Sequence, residues 1–148
     1  MGKKGLFDEE TRQIIYEHYQ HPTHKRKPEE NELSNYKSIR MESTSCIDDI
    51  TIYLKVDNGI VVDALFDGIA CTISISSTDI MCDLILNKPI KEVEQLISEY
   101  MNMIKEEECN LDSLGEAKAF IVMPKQPARV KCATIGWDGL KKILEEYK

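Results

Sequence analysis

Residues 50–66 constrain the fold of this chain more than any other stretch. Ile50, Ile52, Leu54 and Val56 alternate with Thr51, Tyr53, Lys55 and Asp57, the period-2 pattern of a half-buried strand. Asn58-Gly59 follows, the pair best suited to a type I′ turn, whose two central residues both need φ > 0. Ile60, Val62, Ala64 and Phe66 then alternate on the way back. The pattern predicts a β-hairpin with one wet face and one buried face. Residues 36–41 are a candidate third strand. Three strands with an apolar face still need helical cover, so the rest of the chain has to supply it.

Helical periodicity meets that need. Residues 8–20 read as a first helix, with Asp8 as its cap, Glu9 and Glu10 in its first turn and Pro22 just beyond it. Phe7, Ile14, Ile15 and Tyr19 form its apolar face. Residues 21–33 are polar and hold Pro22, Pro28 and the basic run Lys25-Arg26-Lys27, which reads as a solvated loop. Residues 71–86 form a second helix, with Ile73, Ile80, Met81, Leu84 and Ile85 apolar and a Ser-rich start at 74–78. Pro89 at the first helical position opens a third, whose stripe is Ile90, Val93, Ile97, Tyr100 and Ile104. Residues 106–115 are a polar break, and 117–126 fit neither helix nor strand clearly. A last helix carries Trp137, Leu140, Leu144 and Tyr147. The fold class is therefore α+β: a three-stranded antiparallel sheet covered on one side by several helices. The 148 residues form one domain, long enough to bury roughly 70% of the unfolded surface.

Charge narrows the function. With 26 acidic against 19 basic residues the net charge is −7, so nucleic acid and anionic membrane are excluded as partners. The Met1-Gly2 start lacks the apolar stretch of a signal peptide, and Phe7 stands where a myristoylation motif needs Ser or Thr. A cytoplasmic location is expected.

The five cysteines are Cys46, Cys71, Cys82, Cys109 and Cys132, an odd number with no close pair, which suits metal or catalytic thiols better than a disulfide framework. Cys46-Ile47-Asp48 precedes the hairpin and Cys71 follows it. A hairpin returns the chain to the end where it began, so topology alone gathers Cys46, Asp48 and Cys71. Cys132 falls at a helix start, where the helix dipole favours a thiolate and Arg129 and Lys131 add positive charge. Three thiols and a carboxylate make a tetrahedral zinc set and also suit iron–sulfur chemistry. Cys82 lies on an apolar stripe and reads as a core residue. Cys109 reads as an exposed thiol without a role. His18, His21 and His24 are evenly spaced, but Pro22 breaks the helix between them, so a histidine metal site is not expected.

Ser45-Cys46-Ile47-Asp48, Gly68-Ile69-Ala70-Cys71-Thr72-Ile73-Ser74 and Arg129-Val130-Lys131-Cys132-Ala133-Thr134 resemble, in order, the three motifs of the U-type iron–sulfur cluster assembly proteins (C-G-D, G-x-G-C-S-I-S and a late Cys). Tyr16-Glu17-His18-Tyr19-Gln20-His21-Pro22 resembles the opening helix of that family. Lys131, where the IscU-type scaffold has His, and the long stretch before Cys132 resemble the SufU branch. The resemblance implies a zinc ion on Cys46, Asp48, Cys71 and Cys132, with Arg129 and Lys131 in support. It implies that Cys46 accepts persulfide sulfur from a SufS-like cysteine desulfurase and activates it, the partner lending a histidine to the zinc as Cys46 leaves. Downstream assembly or apo-client proteins would then receive the sulfur. Two other functions remain open: a scaffold on which a [2Fe–2S] cluster or iron is held and passed on, and a non-enzymatic adaptor with a structural zinc. The motif also differs here, since Ile47 and Ala70 stand where the family has Gly. If position 47 needs φ > 0, Ile is costly there and the Cys46 loop has to turn differently, which bears most on Asp48.

Overall fold

The computed structural model describes residues 7–44 and 46–147; Met1-Gly2, Ser45 and Lys148 lie outside them. Helix α1 (Glu9–Gln20) opens the chain, with the Asp8 carboxylate accepting from the Thr11 N–H at 2.8 Å. Three strands follow: β1 (Lys37–Glu42), β2 (Asp49–Asp57) and β3 (Ile60–Ile69). They form one antiparallel sheet in the order β1-β2-β3. Then come α2 (Thr72–Ile85), α3 (Ile90–Ile104) and α4 (Val130–Glu145). The α+β architecture is the one expected, a three-stranded sheet with helical cover.

The hairpin turns at Asn58 and Gly59, both at positive φ (52° and 75°), as a type I′ turn requires. One detail differs. The pairing slips after Lys55, so that Val56 faces Val61 and Val62 has no opposite number. This bulge flips the parity of β3: Val61 is fully buried and Val62 faces solvent. The expected inward Val62 is thus wrong, because alternation cannot register an extra residue.

Ile50, Ile52 and Leu54 of β2 bury completely against the helices, each worth roughly 1.5–3 kcal/mol. Helix α2 runs through the centre, with α1 on one side and α4 on the other, and α4 also crosses β1 and β2. Every residue from Ile73 to Cys82 is buried. Cys82 is a core residue, as expected.

Other boundaries move for physical reasons. Pro89 is the N-cap of α3 rather than its first residue. Tyr19, expected on the buried face of α1, is exposed. The loop after α1 contains a 3-10 turn at Glu30–Asn35, and its Lys25 pairs with Asp67 at 3.4 Å. The ambiguous stretch before α4 resolves into 3-10 turns at Leu111–Phe120, Met123–Lys125 and Pro127–Arg129. Pro124 and Pro127 stand in the first turns of the last two, where a missing N–H costs nothing. Cys109, expected to be exposed, is half-buried against the core. No helix among the described residues is long and apolar enough to cross a membrane.

Candidate metal centre

The ends of β2 and β3 and the starts of α2 and α4 meet at one point. Asp49 pairs with Ile69, so the residues just beyond the ladder, Asp48 and Ala70, are neighbours. Cys71 is the N-cap of α2. Its own side chain makes no cap; the Asp48 carboxylate, from just before β2, reaches this helix start instead. Asp48 Oδ1 accepts the Cys71 N–H at 2.9 Å, and Oδ2 accepts the Ser74 hydroxyl. The Asp48 carbonyl accepts the Ser43 N–H at 2.8 Å, closing the loop that carries Cys46. Asp48 is 2% exposed. Burial opposes its charge, but bonds from Ser74, the Cys71 N–H, Cys46 and Cys132 outweigh it and hold the carboxyl below its usual range.

Cys46 Sγ lies 3.7 Å from Cys132 Sγ. The sulfur and carboxylate atoms of Cys46, Asp48 and Cys132 lie within 4.8 Å of one another. Cys71 adjoins Cys132, and its sulfur is 3.6 Å from Ser74 Oγ and 3.7 Å from Arg129 Nη1. The structure therefore gathers Cys46, Asp48 and Cys132 of the four residues picked out in the sequence into one cluster, with Cys71 beside Cys132 and Arg129 beside Cys71. Lys131 points to solvent; the carboxylate that feels its charge is Asp138, not Asp48.

The donor set fits a tetrahedral metal. Two thiolates on one zinc at about 2.3 Å stand about 3.8 Å apart, and the observed sulfur separation is 3.7 Å. Burial pushes the Cys132 thiol well up, and neighbouring Cys71, Asp48 and Cys46 push it further. Burial thus works against the thiolate that the helix start and the nearby cations are expected to favour at Cys132. A cation held here would favour the ionised form of the Cys132 thiol.

Exposure separates the thiols: Cys46 is exposed, Cys71 half-buried and Cys132 buried. Ile47 and Ile69, within two residues of Cys46 and Cys71, are 66% and 72% exposed.

A buried polar network beneath Cys132 escaped the sequence reading. The carbonyl of Ala133 accepts Ser77 Oγ at 2.8 Å and Tyr100 OH at 2.7 Å. Trp137 Nε1 donates to Ser77 Oγ at 3.2 Å, and its ring stacks on Tyr100 with centroids 4.0 Å apart. These contacts fasten the turn bearing Cys132 to α2 and α3. Ser77 lay in the Ser-rich start of α2, but periodicity marked Tyr100 and Trp137 only as apolar.

Comparison with known proteins gives a consistent set. The family model for the NifU-like N-terminal domain matches residues 10–148. The zinc-dependent sulfurtransferase SufU of Bacillus subtilis is 35% identical over 133 residues, 88% of this chain and 86% of that protein. The iron–sulfur cluster assembly scaffold protein IscU of Thermotoga maritima is 36% identical over 105 residues, 71% of this chain and 74% of that one. A crystal structure from Fervidobacterium islandicum AW-1, described as an iron–sulfur cluster assembly scaffold protein for the SUF system, superposes with a TM-score of 0.82. It is 26% identical and the match covers 97% of this chain and 99% of that one.

Proposed function

The chain belongs to the NifU-like N-terminal domain family, and from that premise we propose that it acts in iron–sulfur cluster assembly as a zinc-bound acceptor and carrier of sulfur from a cysteine desulfurase. The single observation that carries the reading is the unequal exposure of three convergent thiols, of which Cys46 is the most open to a partner. Cys46, Asp48, Cys71 and Cys132 are the proposed zinc ligands. Zinc, when bound, keeps these thiols deprotonated and, having no redox chemistry, does not oxidise them.

The residues divide the work. Cys132, Cys71 and Asp48 hold the site from the buried side. Cys46 attacks the outer sulfur of the partner's cysteine persulfide. A new bond forms between that sulfur and Cys46 Sγ, the old sulfur–sulfur bond breaks, and the partner's cysteine leaves as a thiolate. Cys46 then carries the persulfide onward to an assembly or client protein. Arg129 beside Cys71 favours anionic sulfur at the opening. Asp48, an oxygen donor among sulfurs, is the weak ligand that eases the release of Cys46.

The test is metal analysis of purified protein together with a desulfurase assay. One zinc per chain and stimulated cysteine turnover are expected, both lost or strongly reduced in Cys46→Ala. Full stimulation by Cys46→Ala sinks the acceptor role. The same four donors also suit a [2Fe–2S] scaffold, the function named for the Thermotoga relative. Anaerobic reconstitution separates the two: a scaffold turns coloured and passes its cluster to apo-ferredoxin, whereas a zinc carrier stays colourless.

A further inference from the structure

A second cluster lies far from the thiols, between α1, α2 and the 3-10 turn at Leu111–Phe120. Asp83 stands more than three helical turns beyond Cys71, about 18 Å along α2. His18 Nε2 is 2.8 Å from Glu116 Oε1. With a carboxylate oxygen of Asp83, these atoms all fall within 4.8 Å of one another. We propose that His18, Asp83 and Glu116 form a second cation site, for a divalent first-row ion that takes nitrogen and oxygen donors.

The His18–Glu116 spacing suits such an ion. Two donors bonded at about 2.1 Å, at angles between a right angle and the tetrahedral value, stand about 3.0–3.4 Å apart. The His18–Glu116 gap opens to that by a few tenths of an ångström, through a Glu116 side chain that is half exposed.

The outer partners are also set as metal ligands usually have them. His18 Nδ1 is held at 2.6 Å by Asp79 Oδ2. Asp79 is 0% exposed, and its other oxygen is fixed by the His24 N–H at 2.8 Å. Asp83 Oδ1 is held at 2.6 Å by His24 Nε2. A carboxylate behind a ligating histidine orients the ring and raises its basicity.

Charge points the same way. Three carboxylates, Asp79, Asp83 and Glu116, face two imidazoles, so the cluster stays net negative even with both rings protonated. Among the described residues, every ion pair these carboxylates make is to histidine. One imidazole with two carboxylates suits divalent manganese, iron or zinc rather than a thiolate-seeking ion. An ion there would staple α1, α2 and the 3-10 turn, and it would displace the proton shared by His18 and Glu116.

The experiment is titration of the zinc-loaded full chain with Co2+. A second equivalent should bind with weak visible bands, without the intense absorption of cobalt–thiolate bonds. About one proton should be released per ion. Glu116→Gln should weaken this binding about tenfold or more, and His18→Ala should remove it, with zinc at the thiols unchanged. Circular dichroism checks each fold, and the exposed Glu116 decides the matter if His18→Ala does not fold. Failure to bind a second ion, or equal binding by wild type and Glu116→Gln, overturns the proposal. Neither result touches the sulfur-acceptor reading, which rests on the thiols.

Discussion

Gly136→Ala tests how closely the thiol centre depends on the approach of α4 to α2. Gly136 lies one turn beyond Cys132 on the same face of α4. A Cβ there would stand 2.4 Å from Thr78 Oγ1 and 3.1 Å from both Thr78 Cβ and Cγ2. Carbon atoms pack best at about 3.5–4.0 Å, so the shortfall is large. Rotating Thr78 does not cure it, because its Cβ is one of the crowded atoms. Helix propensity favours Ala by about 1 kcal/mol, while overpacking costs about 1–3 kcal/mol. At this buried contact the second effect wins, for a net loss of up to about 2 kcal/mol and a Tm lower by up to about 8 °C. Retreat of α4 also carries Cys132 away from Cys46, so zinc affinity should fall several-fold. Thr78 Oγ1 has no hydrogen-bond partner among the described residues, so Thr78→Ala forfeits none there and serves as the relieving background. The double variant should recover about 1 kcal/mol or more of the loss. Urea unfolding of all four proteins, with zinc competition by a chelator, measures this. A Gly136→Ala protein as stable as wild type, with unchanged zinc affinity, would refute the argument.

Gly68 has φ 136°, and a Cβ there would lie 2.1 Å from the Asp49 carbonyl oxygen; Gly68→Ala should cost about 2–4 kcal/mol by thermal unfolding and loosen zinc. Asp48→Ala leaves the Cys71 N–H and Ser74 hydroxyl without their acceptor, costing about 2–4 kcal/mol. It should also weaken zinc at least tenfold, and unchanged zinc affinity would remove Asp48 from the ligand set. The Asp79 carboxylate, against an opposing effect of burial and with help from Glu116, pushes His18 up to about 9 from 6.5. A raised histidine stabilises fully below pH 6.5 and loses that contribution as pH climbs through about 9. Urea unfolding of wild type and His18→Gln, at matched zinc and with no other metal, should therefore differ by about 2–3 kcal/mol at pH 6 and converge by pH 10; a gap that stays constant would rule out this charge pairing.

Elements with a strong local signal were legible from residues alone. The Asn58-Gly59 hairpin, the Asp8 cap and the stripe from Val93 to Ile104 each state their geometry within a few residues. The Val62 bulge is not local: β2 and β3 have equally good alternation with or without it, and pairing alone decides. The 3-10 turns before α4 were unreadable for a related reason, since their conformation follows from the path the chain must take between α3 and Cys132. The network of Ser77, Tyr100 and Trp137 was hidden because amphipathic side chains at buried spacings look apolar in sequence. The His18 and His24 cluster was missed because Pro22 was read as separating residues that α2 in fact gathers.

The thiol centre was legible because a hairpin must return to its start, yet the doubt about Asp48 came from treating every glycine of a motif alike. The positive-φ residues other than glycine are, among the described ones, Asn58, Asn87 and Glu106. Ile47 and Ala70 are not among them, so neither position needs the conformation that only glycine adopts cheaply. Gly68 does, and there the glycine is kept, because the Asp49 carbonyl leaves no room for a side chain. The departures thus fall where the backbone tolerates them. What fixes Asp48 is the start of α2: the Cys71 N–H and the Ser74 hydroxyl both point at its carboxylate, whatever residue stands between it and Cys46. The freedom at position 47 is then used at the surface, where Ile47 lies exposed beside the most open thiol.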